Sequence, residues 1–171
     1  MKILSVSIWK KESEKAEELM SIHDVNKFGY FQQTTVTDFL KFTSNLLATR
    51  TAPGERKSVK EKAYICHSLT KSDGIGGVLI CDEEYPQRVA FSFLLKILDD
   101  FIKVHPQATW GKAPFPEIAE IRQQFTLYQD PRAADLLTAL QCESSVELRQ
   151  ASKKFYKITH REQTKSCCVI S

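Results

Sequence analysis

Ile75-Gly76-Gly77-Val78-Leu79-Ile80-Cys81-Asp82 is the run on which the fold turns. In a strand, alternate side chains point to opposite faces, so Val78 and Ile80 lie on one side and Leu79 and Cys81 on the other. Both faces are apolar. Such a strand belongs in the middle of a sheet with helices packed on both sides. Ser72-Asp73-Gly74 just before it reads as a hairpin turn, which pairs it with the strand read over Val59 to Thr70. The glycines beside it, Gly74-Ile75-Gly76-Gly77, lack the lysine of a phosphate-binding G-x-x-x-x-G-K-[ST] loop and open a strand rather than a helix. A nucleotide-binding reading therefore fails.

The elements on either side follow from this centre. Ile3 to Trp9 alternates apolar residues with serine and predicts a first strand, Lys10 to Lys15 a polar turn, and Glu18 to Val25 a weaker second strand. Phe28-Gly29-Tyr30-Phe31 reads as an aromatic loop. Thr34 or Thr35 is placed to cap a helix from Val36 to Arg50, ended by Thr51-Ala52-Pro53-Gly54-Glu55. Downstream, Pro86 lies at the start of the longest helix, which runs to Val104 with Ala90, Leu94, Ile97 and Phe101 on a wide buried face. A further helix begins at Pro116 or Glu117 and ends near Tyr128, and Pro131 restarts a charged helical tail toward Thr164. The order ββα, ββ with a third short strand allowed, then αα is α+β, an antiparallel sheet between helices.

Composition sets the outer limits. At 171 residues the chain suits one domain with an extension, and a body of about 135 residues buries roughly two thirds of its unfolded surface. A net charge of +3 is too small to argue for nucleic acid. Five cysteines form no framework spacing, which fits a reducing compartment. No stretch approaches the roughly 20 apolar residues of a membrane span, and Lys96 interrupts the richest, Val89 to Leu98. The expectation is a cytoplasmic chain that reaches a membrane only by a tether.

The search for chemistry returns little. Cys66 and His67 are neighbours on a strand, point to opposite faces and cannot act as nucleophile and base together. Asp82-Glu83-Glu84 is a strand-to-helix turn whose carboxylates can satisfy the amino end of the following helix. His23, His67, His105 and His160 form no metal-ligand set. Neither a cofactor nor a catalytic residue is expected, so the chain reads as a binding module rather than an enzyme. One position stands out. On the Val36 to Arg50 helix, Val36, Leu40, Thr43 and Leu47 share a stripe, whereas Phe42 falls about 120° from Val36. With Phe39 and Leu46 it makes an apolar strip, either a surface or groove binding site or packing under the loop at Phe28 and Phe31.

The last residues, Cys167-Cys168-Val169-Ile170-Ser171, have the C-a-a-X pattern. Cys168 is the prenylation site, and Ser171 favours farnesyl. A single lipid holds a protein marginally, so a second signal is needed. Cys167 supplies one as a palmitoyl or second prenyl site. Lys153, Lys154, Lys157, Arg161 and Lys165, with Arg149, supply another as a polybasic membrane contact.

Several stretches together carry a family resemblance: Val25 to Phe31 with Phe39-Leu40-Lys41-Phe42-Thr43-Ser44; Ser58-Val59-Lys60-Glu61 with Tyr64-Ile65-Cys66-His67; Asp82 to Phe91; Tyr128-Gln129-Asp130-Pro131-Arg132-Ala133-Ala134-Asp135; and, in the tail, Lys154-Phe155-Tyr156-Lys157 and the tandem cysteines. On these the chain resembles the longin-domain R-SNAREs, in particular the prenylated Ykt-type synaptobrevin homologues that have no transmembrane helix. The resemblance implies a longin domain over 1–130, a profilin-like five-stranded antiparallel sheet between one helix and two. It also implies a SNARE-like helical segment over 131–164 and a lipidation tail over 165–171. It further implies a closed state in which the longin domain holds its own tail and lipid, assembly with Q-SNAREs, modification by a prenyltransferase, and action in endoplasmic reticulum, Golgi, endosomal or vacuolar traffic at the cytosolic face of those membranes.

One departure bears on function. A SNARE core needs seven to eight heptads around a central arginine, yet Ala133 to Thr164 spans about 32 residues. In the register of Phe155 the arginine position holds Ala134, and the 3-4 spacing slips at Ser144. About four heptads are missing near Glu143-Ser144. Two functions fit: a lipid-anchored R-SNARE of membrane fusion, or a non-fusogenic longin adaptor that binds SNAREs or lipid without completing a four-helix bundle.

Overall fold

The computed structural model describes residues 2–13 and 15–134. The expected tail helix beyond Ala134, the polybasic cluster and both lipidation cysteines lie outside the described residues. Five strands form one antiparallel sheet: β1 (Ile3–Glu12), β2 (Lys15–His23), β3 (Arg56–Glu61), β4 (Tyr64–Thr70) and β5 (Ile75–Asp82), in the order β2-β1-β5-β4-β3. The run that opened the sequence reading is the central strand. Helix α1 (Tyr30–Arg50) covers one face. Helices α2 (Gln87–Val104) and α3 (Ala119–Leu127) belong to the core on the other, and α4 (Pro131–Ala134) is a single turn after them. This is the α+β arrangement that the longin resemblance implies, a five-stranded antiparallel sheet between one helix and two.

The alternation of β5 sorts the two cores as expected. Val78 and Ile80 join Leu4, Trp9, Leu40, Leu47 and Cys66 under α1, while Leu79 and Cys81 join Phe93, Leu94, Ile97 and Phe101 under α2. Gly77, one of the glycines that failed as a phosphate loop, has a packing reason. A Cβ on Gly77 would lie 2.9 Å from Leu94 Cδ2, so α2 approaches the sheet as closely as it does because the position is bare. Downstream, the Gln129 side chain accepts from Ile3 N at 3.0 Å and donates to Ile3 O at 2.9 Å, and Tyr85 Oη donates to Tyr128 O at 2.8 Å. The Gln129 bonds tie the end of the helical layer to β1, and the Tyr85 bond ties it to the turn before α2.

Several boundaries move. Helix α1 begins six residues before the expected Val36. Neither Thr34 nor Thr35 caps it; Gly29 stands at the N-cap, its carbonyl receives the amides of Gln32 and Gln33, and the aromatic loop becomes the first helical turn. The single stretch Val59 to Thr70 divides into β3 and β4, because Lys62 takes a left-handed conformation (φ +55°) and closes a tight hairpin. The polar turn at Lys10 to Lys15 is mostly strand. β1 and β2 pair as far as Glu12 and Lys15, with Ser13 at φ +53° in the reversal. The acidic turn does not cap α2, whose N-cap is Pro86 with no side-chain bond; Glu83 instead pairs with Lys60 at 2.5 Å.

Candidate functional site

The strip foreseen on α1 lies along an apolar groove. Leu40, Ser44, Leu47 and Ala48 turn toward the sheet. About 100° per residue then carries Phe39, Phe42 and Leu46 out over the flank facing β3. They are 48%, 68% and 37% exposed, high values for residues of this size. Strand β3 completes the groove. Its alternation presents Lys57, Val59 and Glu61 to the α1 side, and Arg56 and Ser58 to the α2 side. A cavity of about 410 Å³ lies between Phe39, Phe42 and Leu46 on the helix and Val59 on the strand, with Cys66 among its lining residues. A second, smaller cavity of about 110 Å³ shares Phe39, Thr43 and Cys66 and runs under the helix to Leu4, Phe28 and Val36.

The open choice for Phe42 falls on the surface side. Phe28 is half-buried and packs with the core under α1, whereas Phe31 is 92% exposed and Tyr30 83% exposed. The pair meet edge to face with ring centroids 5.6 Å apart. No aromatic loop covers Phe42. Reading Tyr30 and Phe31 as loop residues concealed that Phe31 lies on the same helical face as Phe42, eleven positions on. Val59 was legible as a strand residue, but its place opposite Phe42 needed the β3–β4 hairpin to be resolved. The groove's floor is apolar and its rim is charged: Lys57 donates to the Arg50 carbonyl at 2.5 Å and pairs with Glu55 at 3.0 Å, while Arg50 and Glu61 line the mouth.

The remaining candidates separate as the alternation required. Cys66 lies under α1, and burial pushes its thiol up to about 11, so it is protonated and inert at neutral pH. His67 lies on the opposite face, 2.8 Å from Ser58 Oγ through Nδ1 and edge-on to Phe91. Burial holds its imidazole down at about 4. Among the described residues no cluster of histidine, cysteine and carboxylates could hold a metal ion, and no helix is long and apolar enough to cross a membrane. What the site offers is shape and apolar surface: a place to hold a helix face or an alkyl chain.

Known proteins supply the family. The family model for the longin, "Regulated-SNARE-like domain", matches residues 25–128, the stretch from the end of β2 through α3. The chain belongs to the longin-domain SNAREs of vesicle traffic. It is similar along 99% of its length to the synaptobrevin homologue YKT6 of Eremothecium gossypii (33% identical) and to that of Saccharomyces cerevisiae (32%), and both relatives are covered completely. The homologue of Schizosaccharomyces pombe is 31% identical, with both chains fully covered. The alignments are longer than this chain. They run over 201, 201 and 199 positions against 171 residues, so at least 28 positions (199 less 171) in each face no residue of this longin SNARE.

Proposed function

We propose that this longin SNARE is lipid-anchored through Cys168 and Cys167 and that its α1 groove holds its own tail and lipid until it meets a membrane. The exposed Phe42 is the observation that carries the reading. A large apolar side chain, 68% exposed beside a cavity of about 410 Å³, is costly unless something covers it. A farnesyl or palmitoyl chain contributes about 0.8 kcal/mol per methylene when buried. The groove and the lipid relieve the same cost. Lys153, Lys154, Lys157, Arg161 and Lys165 would then hold the released tail to anionic headgroups of endoplasmic reticulum, Golgi, endosomal or vacuolar membranes. The partners are Q-SNAREs, a prenyltransferase and the membrane, and the protein works by binding and assembly rather than catalysis. Fractionation of lipidated protein tests the anchor. Cys168→Ser should leave the membrane pellet entirely and Cys167→Ser in large part; retention of Cys168→Ser in the pellet would remove the anchor from the account.

The length of the alignments favours a second reading of how the SNARE segment works. The longin unit has all five strands and its three helices, so it has little room for a deficit of 28 or more positions. The segment after Ala134 is the natural place for the loss, in keeping with the phase slip at Ser144. A core shortened by about four heptads and carrying Ala134 where the central arginine is expected would pair with Q-SNAREs over part of a bundle. The protein would then act as a non-fusogenic regulator. Mixing the full chain with cognate Q-SNAREs separates the readings: an SDS-resistant four-helix complex supports fusion, and a weak, detergent-sensitive complex supports regulation.

A further inference from the structure

Tyr30 and Phe31 are almost fully exposed at the start of α1, and neither ring lines the two cavities of the groove. Phe31 shares a helical face with Phe42, but eleven residues of helix set them about 17 Å apart along the axis. Asp38 lies on that face between them. The aromatic pair is therefore a patch of its own. It is also firmly placed. Both residues are helical, the Gly29 carbonyl receives the amides of Gln32 and Gln33 at 2.7 and 3.2 Å, and the rings meet edge to face.

The surroundings are poor in charge. From Val25 to Thr37 the one charged residue is Lys27, in a chain that is 26% charged. Its ammonium lies 5.2 Å from the centroid of the Phe28 ring and 5.5 Å from that of Tyr64. Asp24, just before this stretch, accepts from Asn26 Nδ2 at 3.1 Å. No acidic residue stands in the first turn of α1 and no side chain caps it, so the positive end of the helix dipole meets no counter-charge there. Desolvating charge is what resists entry into a headgroup layer, and the little charge at this end is positive.

Size decides between occupants. A tyrosine and a phenylalanine bury about 150–250 Å² each, whereas a stable protein interface takes about 800 Å² from each partner. The pair is too small to hold a second copy or a folded partner. A bilayer sets no such threshold, because a chain already held at its surface gains from each ring that enters. The ring types suit that layer as well: an apolar body for the acyl boundary, and a Tyr30 hydroxyl that stays wet.

We infer that the Tyr30–Phe31 end of α1 is a membrane wedge. It dips into the interfacial layer of an anionic bilayer, with Lys27 and the amino end of the helix against the phosphates. Asp38, two turns further on, remains in water and limits entry to the first turn. The contact needs neither the groove nor a lipid on Cys168.

Fluorescence of Phe31→Trp in the unlipidated full chain tests it, with buried Trp9 and Trp110 as a constant background. On adding phosphatidylserine vesicles at low salt, the emission should move to the blue and be quenched by lipids brominated near the glycerol end of the chain. Val104→Trp, at an exposed position on α2, should show neither change. Replacing both rings, Tyr30→Ser with Phe31→Ser, should weaken vesicle binding about tenfold with melting temperature unchanged. No shift or quenching of Phe31→Trp, the same response in Val104→Trp, or equal binding by the double variant and its parent would overturn the proposal. Blue, shielded emission before vesicles are added would overturn the bilayer assignment and give the pair to the tail or to a second copy. None of these readings involves Cys168 or Phe42, so the wedge can fail while the groove's hold on the tail stands.

Discussion

His67 shows how a single buried side chain can carry a stability signal. It is 1% exposed, and its folded pKa is about 4 against an ordinary 6.5. The unfolded chain binds this proton more readily than the folded one. Stability is therefore complete above about pH 6.5 and falls as pH drops toward 4, by roughly 3 kcal/mol for this residue. Denaturant titrations at pH 7, 5.5 and 4 should show the loss, and His67→Gln should flatten it. Equal slopes in the two proteins would mean that other groups set the acid limit. Gly77 makes a steric case. Gly77→Ala drives a methyl against Leu94 Cδ2 and should destabilise by about 1 to 3 kcal/mol, as overpacking does. Phe101→Ala in the same core removes a fully buried ring and should cost about 3 to 5 kcal/mol. If either melts like the parent protein, α2 adjusts more freely than its packing implies. The sequence marked Phe101 by periodicity, whereas Gly77 stood out only as part of a glycine cluster that fails as a phosphate loop. It did not show the pairing of His67 with Ser58, because β3 and β4 read as one strand.

At the scale of elements, periodicity carried most of the reading and turn chemistry accounts for what it missed. The central place of β5 was legible because both of its faces are apolar. The start of α1 was not, since Gly29 caps without a side chain and the threonine signals lie within the helix. The β3–β4 hairpin was hidden because Lys62 adopts a left-handed turn that no glycine or asparagine announces. Half of the candidate groove followed from α1 alone: Phe39, Phe42 and Leu46 could be placed by rotation, whereas Val59 and Phe31 depended on those two misread boundaries. The contacts of Gln129 and Tyr128 also bear on where the folded unit ends. A chain truncated after Asp130 keeps them and should melt cooperatively near the temperature of a chain truncated after Ala134. Truncation before Tyr128 removes the ring stacked on Phe93 at 4.5 Å and should lower that temperature markedly. Loss of a cooperative transition in the Asp130 truncation would make the following residues part of the core.

For the whole molecule, the account joins a longin unit, whose apolar groove is open among the described residues, to a tail proposed to carry lipid and a shortened SNARE segment. Apolar surface and lipid are each costly in water, and covering one with the other is the simplest way for such a chain to stay dispersed. An isolated tail helix with few apolar residues would gain most of its stability from the same docking. Phe42→Glu places a charge in the groove, where an unpaired carboxylate is strongly unfavourable. The most direct test is the membrane-bound fraction of the lipidated protein, wild type against Phe42→Glu, with limited proteolysis of the tail on the same samples. The account predicts a larger bound fraction and faster tail cleavage in the variant. If wild type and Phe42→Glu partition alike and are cleaved at equal rates, the groove does not hold the tail.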